Sequence, residues 1–158
     1  MDELRVAIEL RDGPEGSPGL LSGTLLTYGE VSPSHLELFE PGALSWPDAG
    51  IVLNRQHNRG MPIMRVLPQL DGNRVLLNAP LPDTVAGRDA AQEVRNGLFR
   101  GLSVEFHALR DMYRNGLRHV QEAVLKGAGL VADPSYTGSL VSVRSADPII
   151  RRSLAAWL

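Results

Sequence analysis

The 158-residue chain has no cysteine, a single lysine and only 5% aromatic residues. Each of these shortages removes a class of explanation. Without cysteine there is no disulfide scaffold, no thiol nucleophile and no thiolate metal site, and none of the four histidines is spaced for zinc. No apolar run approaches the roughly 20 residues that cross a bilayer. Met1-Asp2-Glu3-Leu4-Arg5 is charged and lacks the apolar stretch of a secretory leader. The expectation is a soluble, cytoplasmic protein without a cofactor. Sixteen Lys+Arg stand against eighteen Asp+Glu, a formal charge of -2. Apart from Lys126 the cations are arginines, scattered rather than gathered into a basic stripe, so nucleic acid is not an expected ligand.

What is present is glycine and proline, 16 and 11 residues, among Val, Leu and Ala. This composition suits short strands and turns rather than a helical bundle. The length fits one domain, which usually runs to roughly 100–150 residues, and a chain of this size buries about 70% of its unfolded surface.

Apolar and polar or small residues alternate over 4–10, predicting a strand, and Leu20–Tyr28 reads as a second. Ser32-Pro33 reads as the start of a short helix reaching about Phe39. Ile51–Gln56 is an apolar strand that runs directly into His57. Pro62–Pro68 and Arg74–Leu81 are expected to pair across a turn at Asp71-Gly72-Asn73. Thr84 caps a helix over 84–96, stopped by Asn96-Gly97. Leu98–Leu109 alternates clearly, with Ser103, Glu105 and His107 on the polar face. Asn115-Gly116 is a strong hairpin turn, and the chain returns antiparallel from Leu117 to about Val131. The fold class is mainly β with flanking helices (α+β), a single barrel or sheet domain over 1–145. Residues 146–158 form a C-terminal tail, trimmed or used to bind a partner.

With thiols excluded, a covalent mechanism would rest on a hydroxyl. A serine hydroxyl is a poor nucleophile unless a base lies within hydrogen-bond reach and a third group orients that base. Ser103 follows Gly101-Leu102, a small neighbourhood that lets backbone approach closely. It is not in a nucleophile-elbow motif, because no glycine follows two residues later. His57 ends a strand and opens a loop, where rigid scaffolds commonly hold catalytic groups. Taken singly, each also reads as an ordinary surface residue, and so do His35, His107 and His119.

Taken in order, the segments resemble a known family. Phe39-Glu40-Pro41-Gly42-Ala43-Leu44, Val52–Asn58 ending in His57, Pro62-Ile63, Thr84 with Gly87–Ala90, Gly97–Phe106 around Ser103, and Glu122–Tyr136 resemble, in that order, the motifs of the prohead (head maturation) serine proteases of tailed bacteriophages, prophages and gene-transfer agents. The resemblance covers roughly residues 20–145. It implies a β-barrel of the type found in herpesvirus assembly proteases. It also implies Ser103 as nucleophile and His57 as general base. The substrates would be the major capsid protein with its scaffolding segment, other head proteins and the protease itself. The site of action would be the immature phage head in the bacterial cytoplasm, and relatives often work as homodimers.

Two departures bear on the third catalytic group. The family usually carries an acidic residue and a serine where this chain has Lys126-Gly127-Ala128-Gly129, and glycine where it has Glu105. Glu122, on the returning strand at an acidic family position, is the leading candidate, with Glu105, His107 and His119 still open. The alternative function is a non-catalytic capsid assembly factor that retains the fold. A β-barrel binding module unrelated to phages is a third.

Overall fold

Alternating segments punctuated by Gly, Pro and Asn fold into strands joined by tight turns. The structure, a computed structural model, describes residues 16–133 and 141–144. In chain order the elements are β1 (Leu20–Thr27), β2 (Glu37–Phe39), β3 (Leu44–Ser45), β4 (Ile51–Arg55), β5 (Asn58–Val66), β6 (Gln69–Asp71), β7 (Arg74–Pro80), α1 (Val85–Arg95), β8 (Gly101–Arg114), β9 (Leu117–Val131) and β10 (Val141–Arg144). The expected strand over 4–10 and the tail at 146–158 lie outside the described residues.

The long β8–β9 hairpin organises the molecule. Asn115 and Gly116 both take positive φ, 52° and 78°, the conformation whose twist matches the strands it joins. One edge of β9 is taken by β8. The other is taken in turn by three short parallel segments: β2 beside 118–120, β3 beside 123–124 and β4 beside 127–130. β5 folds back antiparallel on β4. A second sheet has the order β10-β1-β7-β6.

Both sheets and the helix share one core. Leu21, Leu25 and Leu26 of β1, Leu53 of β4, Leu77 of β7, Leu102 of β8 and Leu125 and Leu130 of β9 are essentially inaccessible. Burying each of these side chains contributes about 1.5–3 kcal/mol. α1 forms as its capping residues require: the Thr84 hydroxyl accepts the Gly87 N–H at 3.0 Å, and the chain leaves the helix at Asn96 and Gly97, the latter at φ 77°. Its face of Gly87, Ala90, Ala91 and Val94 is buried, and it touches β5 and β10. No helix among the described residues is long and apolar enough to cross a membrane.

Three expectations are corrected. Residues 33–39 do not form a helix. Ser32 does accept the His35 N–H at 3.4 Å, and the Leu36 N–H reaches the Ser32 carbonyl at 2.8 Å. That single turn ends at Leu36, φ 50°, because Glu37–Phe39 gains strand pairing on β9. The strand after His57 pairs with β4 rather than with β7, whose partners are β1 and the short β6. Finally, the fold is mainly β with one helix, and it does not close into a barrel among the described residues. The outer edges of β5 and β8 have no strand partner there, so the six-stranded sheet stays open.

Candidate functional site

His57 occupies the two-residue turn between β4 and β5. Gln56 and His57 have φ of 54° and 58°, both in the left-handed region that L residues enter only at a cost. Histidine is among the side chains enriched there. The turn is tied down on both sides: the Gln56 N–H donates to the Leu130 carbonyl at 2.9 Å, and Arg55 pairs with Glu93 of α1 while its guanidinium lies 5.3 Å from the Phe99 ring centre. The imidazole is thus presented by a short hairpin braced against β9 and the helix.

Ser103 lies near the start of β8, directly opposite Gly129 of β9, which in turn registers with Asn54 of β4. Directly opposed residues on antiparallel strands project to the same face, with Cβ atoms about 4.5–5.5 Å apart. The space that a side chain at 129 would fill is taken by the His57 ring: a Cβ built on Gly129 would fall 2.8 Å from it. The ring therefore lies beside Ser103, and both line one open cleft of about 660 Å³.

The group that meets His57 is Glu105. It lies two residues beyond Ser103 on the same face of β8, and its Oε2 is 2.5 Å from His57 Nδ1. The same oxygen accepts the Asn54 amide N–H at 2.9 Å. With Nδ1 engaged by a carboxylate, the nitrogen left for the serine side is Nε2. Glu105 registers with Gly127, and a Cβ on that glycine would fall 2.7 Å from Glu105 Oε1. Gly127 and Gly129 are therefore the two positions that must be bare for the Glu105 carboxylate and the His57 ring to fit.

Glu122 is not brought to this site. It registers with Arg110, whose Nε is 3.9 Å from its Oε2, and its side chain is more than half exposed. At about 3.3 Å per strand residue, Arg110 is roughly 23 Å along β8 from Ser103. His119 faces Glu40 at 3.8 Å, and His107 is exposed on the outer half of β8. Of the open alternatives, Glu105 alone meets His57. The signal was present in the alternation that put Glu105 on the face of Ser103. It lacked only the parallel pairing of β4 on β9, which carries His57 to that face.

Arg118, Glu37, Phe106 and Asp133 also line the cleft. Arg118 Nε donates to Asp111 Oδ2 at 2.6 Å and NH1 to Glu37 Oε2 at 3.3 Å, and the guanidinium lies over Phe106. The Asp111 hydrogen bond holds the Arg118 proton more firmly than usual, so the cleft keeps a fixed cation.

No protein-family model and no curated protein sequence matches this chain.

Proposed function

We propose that the protein is a serine endopeptidase of the prohead-maturation kind, with Ser103 as nucleophile, His57 as general base and Glu105 as the group that orients the base. The observation carrying this reading is the 2.5 Å contact between Glu105 Oε2 and His57 Nδ1, formed on the face of the sheet that also bears Ser103.

In this mechanism His57 Nε2 takes the Ser103 Oγ proton as the oxygen attacks the scissile carbonyl carbon. The imidazolium that forms is held by Glu105. It then gives its proton to the departing amine, leaving an acyl group on Ser103. A water molecule, deprotonated by the same imidazole, attacks the acyl carbon and releases the carboxylate product with Ser103 restored. General base assistance of this kind contributes about 10²–10⁴-fold.

The proposed substrates are the capsid protein's scaffolding segment and other internal head proteins, cut inside the immature head. The proposed fold relationship is to herpesvirus assembly proteases. A non-catalytic assembly factor is disfavoured by the local fit: bare glycines at 127 and 129 give room to an acid and a base that an idle site has no need to accommodate.

The test is co-expression with the major capsid protein of the same phage or prophage, followed by intact-mass measurement. The protease reading expects a shortened capsid protein with the wild-type chain and a full-length one with Ser103→Ala. Uncut capsid protein in both, with heads assembled, would favour the assembly factor.

A further inference from the structure

Asn54 is a buried polar side chain whose amide is satisfied on one side only. The residue is 3% exposed. Its Nδ2 donates to Glu105 Oε2, and its Oδ1 is buried with no hydrogen-bonding protein partner. An ionised carboxylate only accepts hydrogen bonds, so the nitrogen must face Glu105 and the oxygen must point away. Leaving a buried carbonyl unpaired costs about 1–3 kcal/mol. A leucine, which has the same γ-branched shape, would leave no carbonyl unpaired, so shape alone does not explain the asparagine.

The hydrogen bond itself explains it. A glutamate reaches its target through three rotatable bonds and needs external contacts to hold it. Here one carboxylate oxygen takes donors from two directions, His57 from the hairpin turn and Asn54 from β4, while the other lies against Gly127. We infer that Asn54 is a positioning residue for Glu105, fixing the carboxylate plane and, through it, the orientation and basicity of His57. This deepens the protease reading and rests on it for its catalytic meaning.

The sign of the effect follows from charge. A donor on Oε2 draws off part of the carboxylate's negative charge. Removing it leaves that charge to the imidazolium alone and favours protonated His57.

The experiment is an NMR titration of the His57 Cε1–H signal, assigned by its loss in His57→Gln, in the full chain carrying Asn54→Leu or Asn54→Ala. The titration midpoint is expected to rise by about half a pH unit in both variants. In parallel, the rate of serine labelling by a fluorophosphonate should fall about tenfold at pH 7 in Asn54→Leu, its acid limb moving to higher pH. A folded variant with the wild-type midpoint would overturn the inference. Should Asn54→Leu not fold, Asn54→Ala carries the test. If the wild-type chain takes no label at all, the protease reading falls, and the titration alone decides the role of Asn54.

Discussion

Glu105 and Gly127 face each other across the β8–β9 ladder, and the carboxylate of the first occupies the room the second leaves empty. Two residues away the arrangement repeats, with Ser103 opposite Gly129 and the His57 ring lying over that glycine. The glycines of Lys126-Gly127-Ala128-Gly129 thus leave the space into which the Glu105 carboxylate and the His57 ring pack.

Glu105 and Glu122 should therefore behave differently when neutralised. Glu105→Gln keeps the size but loses the charge that holds the imidazolium, and fluorophosphonate labelling of Ser103 should slow by about 10²–10⁴-fold. Glu122→Gln removes an exposed carboxylate from a 3.9 Å surface pair, which contributes about 0–1 kcal/mol. Its labelling rate should stay within twofold of wild type. Equal losses in the two variants would contradict the assignment.

Gly129→Ala and Gly127→Ala test the fit directly. Each adds one methyl group at a site already occupied by the His57 ring or the Glu105 carboxylate. Labelling should fall at least tenfold, a misplacement effect. In Gly129→Ala the melting temperature should change little, because the displaced His57 ring sits at the partly exposed edge of the cleft. Unchanged labelling in both variants would mean that His57 and Glu105 do not rest where the ladder puts them.

The Gln56-His57 turn stores backbone strain beside the site. Gln56→Gly should stabilise the protein by about 1 kcal/mol in a denaturant titration, since glycine enters the left-handed region freely and glutamine does not. Lower stability in this variant would show that the exposed Gln56 side chain contributes more than its backbone costs.

Burial pushes the Tyr28 hydroxyl pKa above the usual tyrosine value, partly offset by the Leu44 N–H that donates to it. The folded chain therefore holds this proton more tightly than the unfolded chain. The resulting stability is complete below about pH 10 and is lost as pH rises beyond it, because unfolded chains ionise first. Tyr28→Phe should cost about 1 kcal/mol at pH 7 through the lost hydrogen bond and should decline less steeply than wild type above about pH 10. Parallel curves for the two proteins would refute this.

Local signals in the sequence were sufficient for the long hairpin and the helix. Alternation and Asn115-Gly116 specify β8 and β9, and Thr84 with Asn96-Gly97 brackets α1. Pairing partners were not legible where a strand carries no turn to name its neighbour. β4 could have joined any edge, and its parallel seat on β9 is what carries His57 to Ser103. The Ser32-Pro33 signal was ambiguous for a physical reason, since one capped turn and the first turn of a helix begin alike. Glu122 was the leading third group only while register went uncounted: a turn at Asn115-Gly116 places it close to Leu109 and Arg110, far from Ser103. A bulge at Glu105/Phe106 then moves Ser103 opposite Gly129, a one-residue shift that no local pattern announces.

The central claim, an activated serine at position 103, is tested most directly by treating the full-length protein with a fluorophosphonate and locating the adduct by peptide mass spectrometry. The account predicts one stoichiometric adduct on the peptide containing Ser103, lost in Ser103→Ala and strongly slowed in His57→Ala. An unlabelled protein, or an adduct at another residue that persists in both variants, would contradict it.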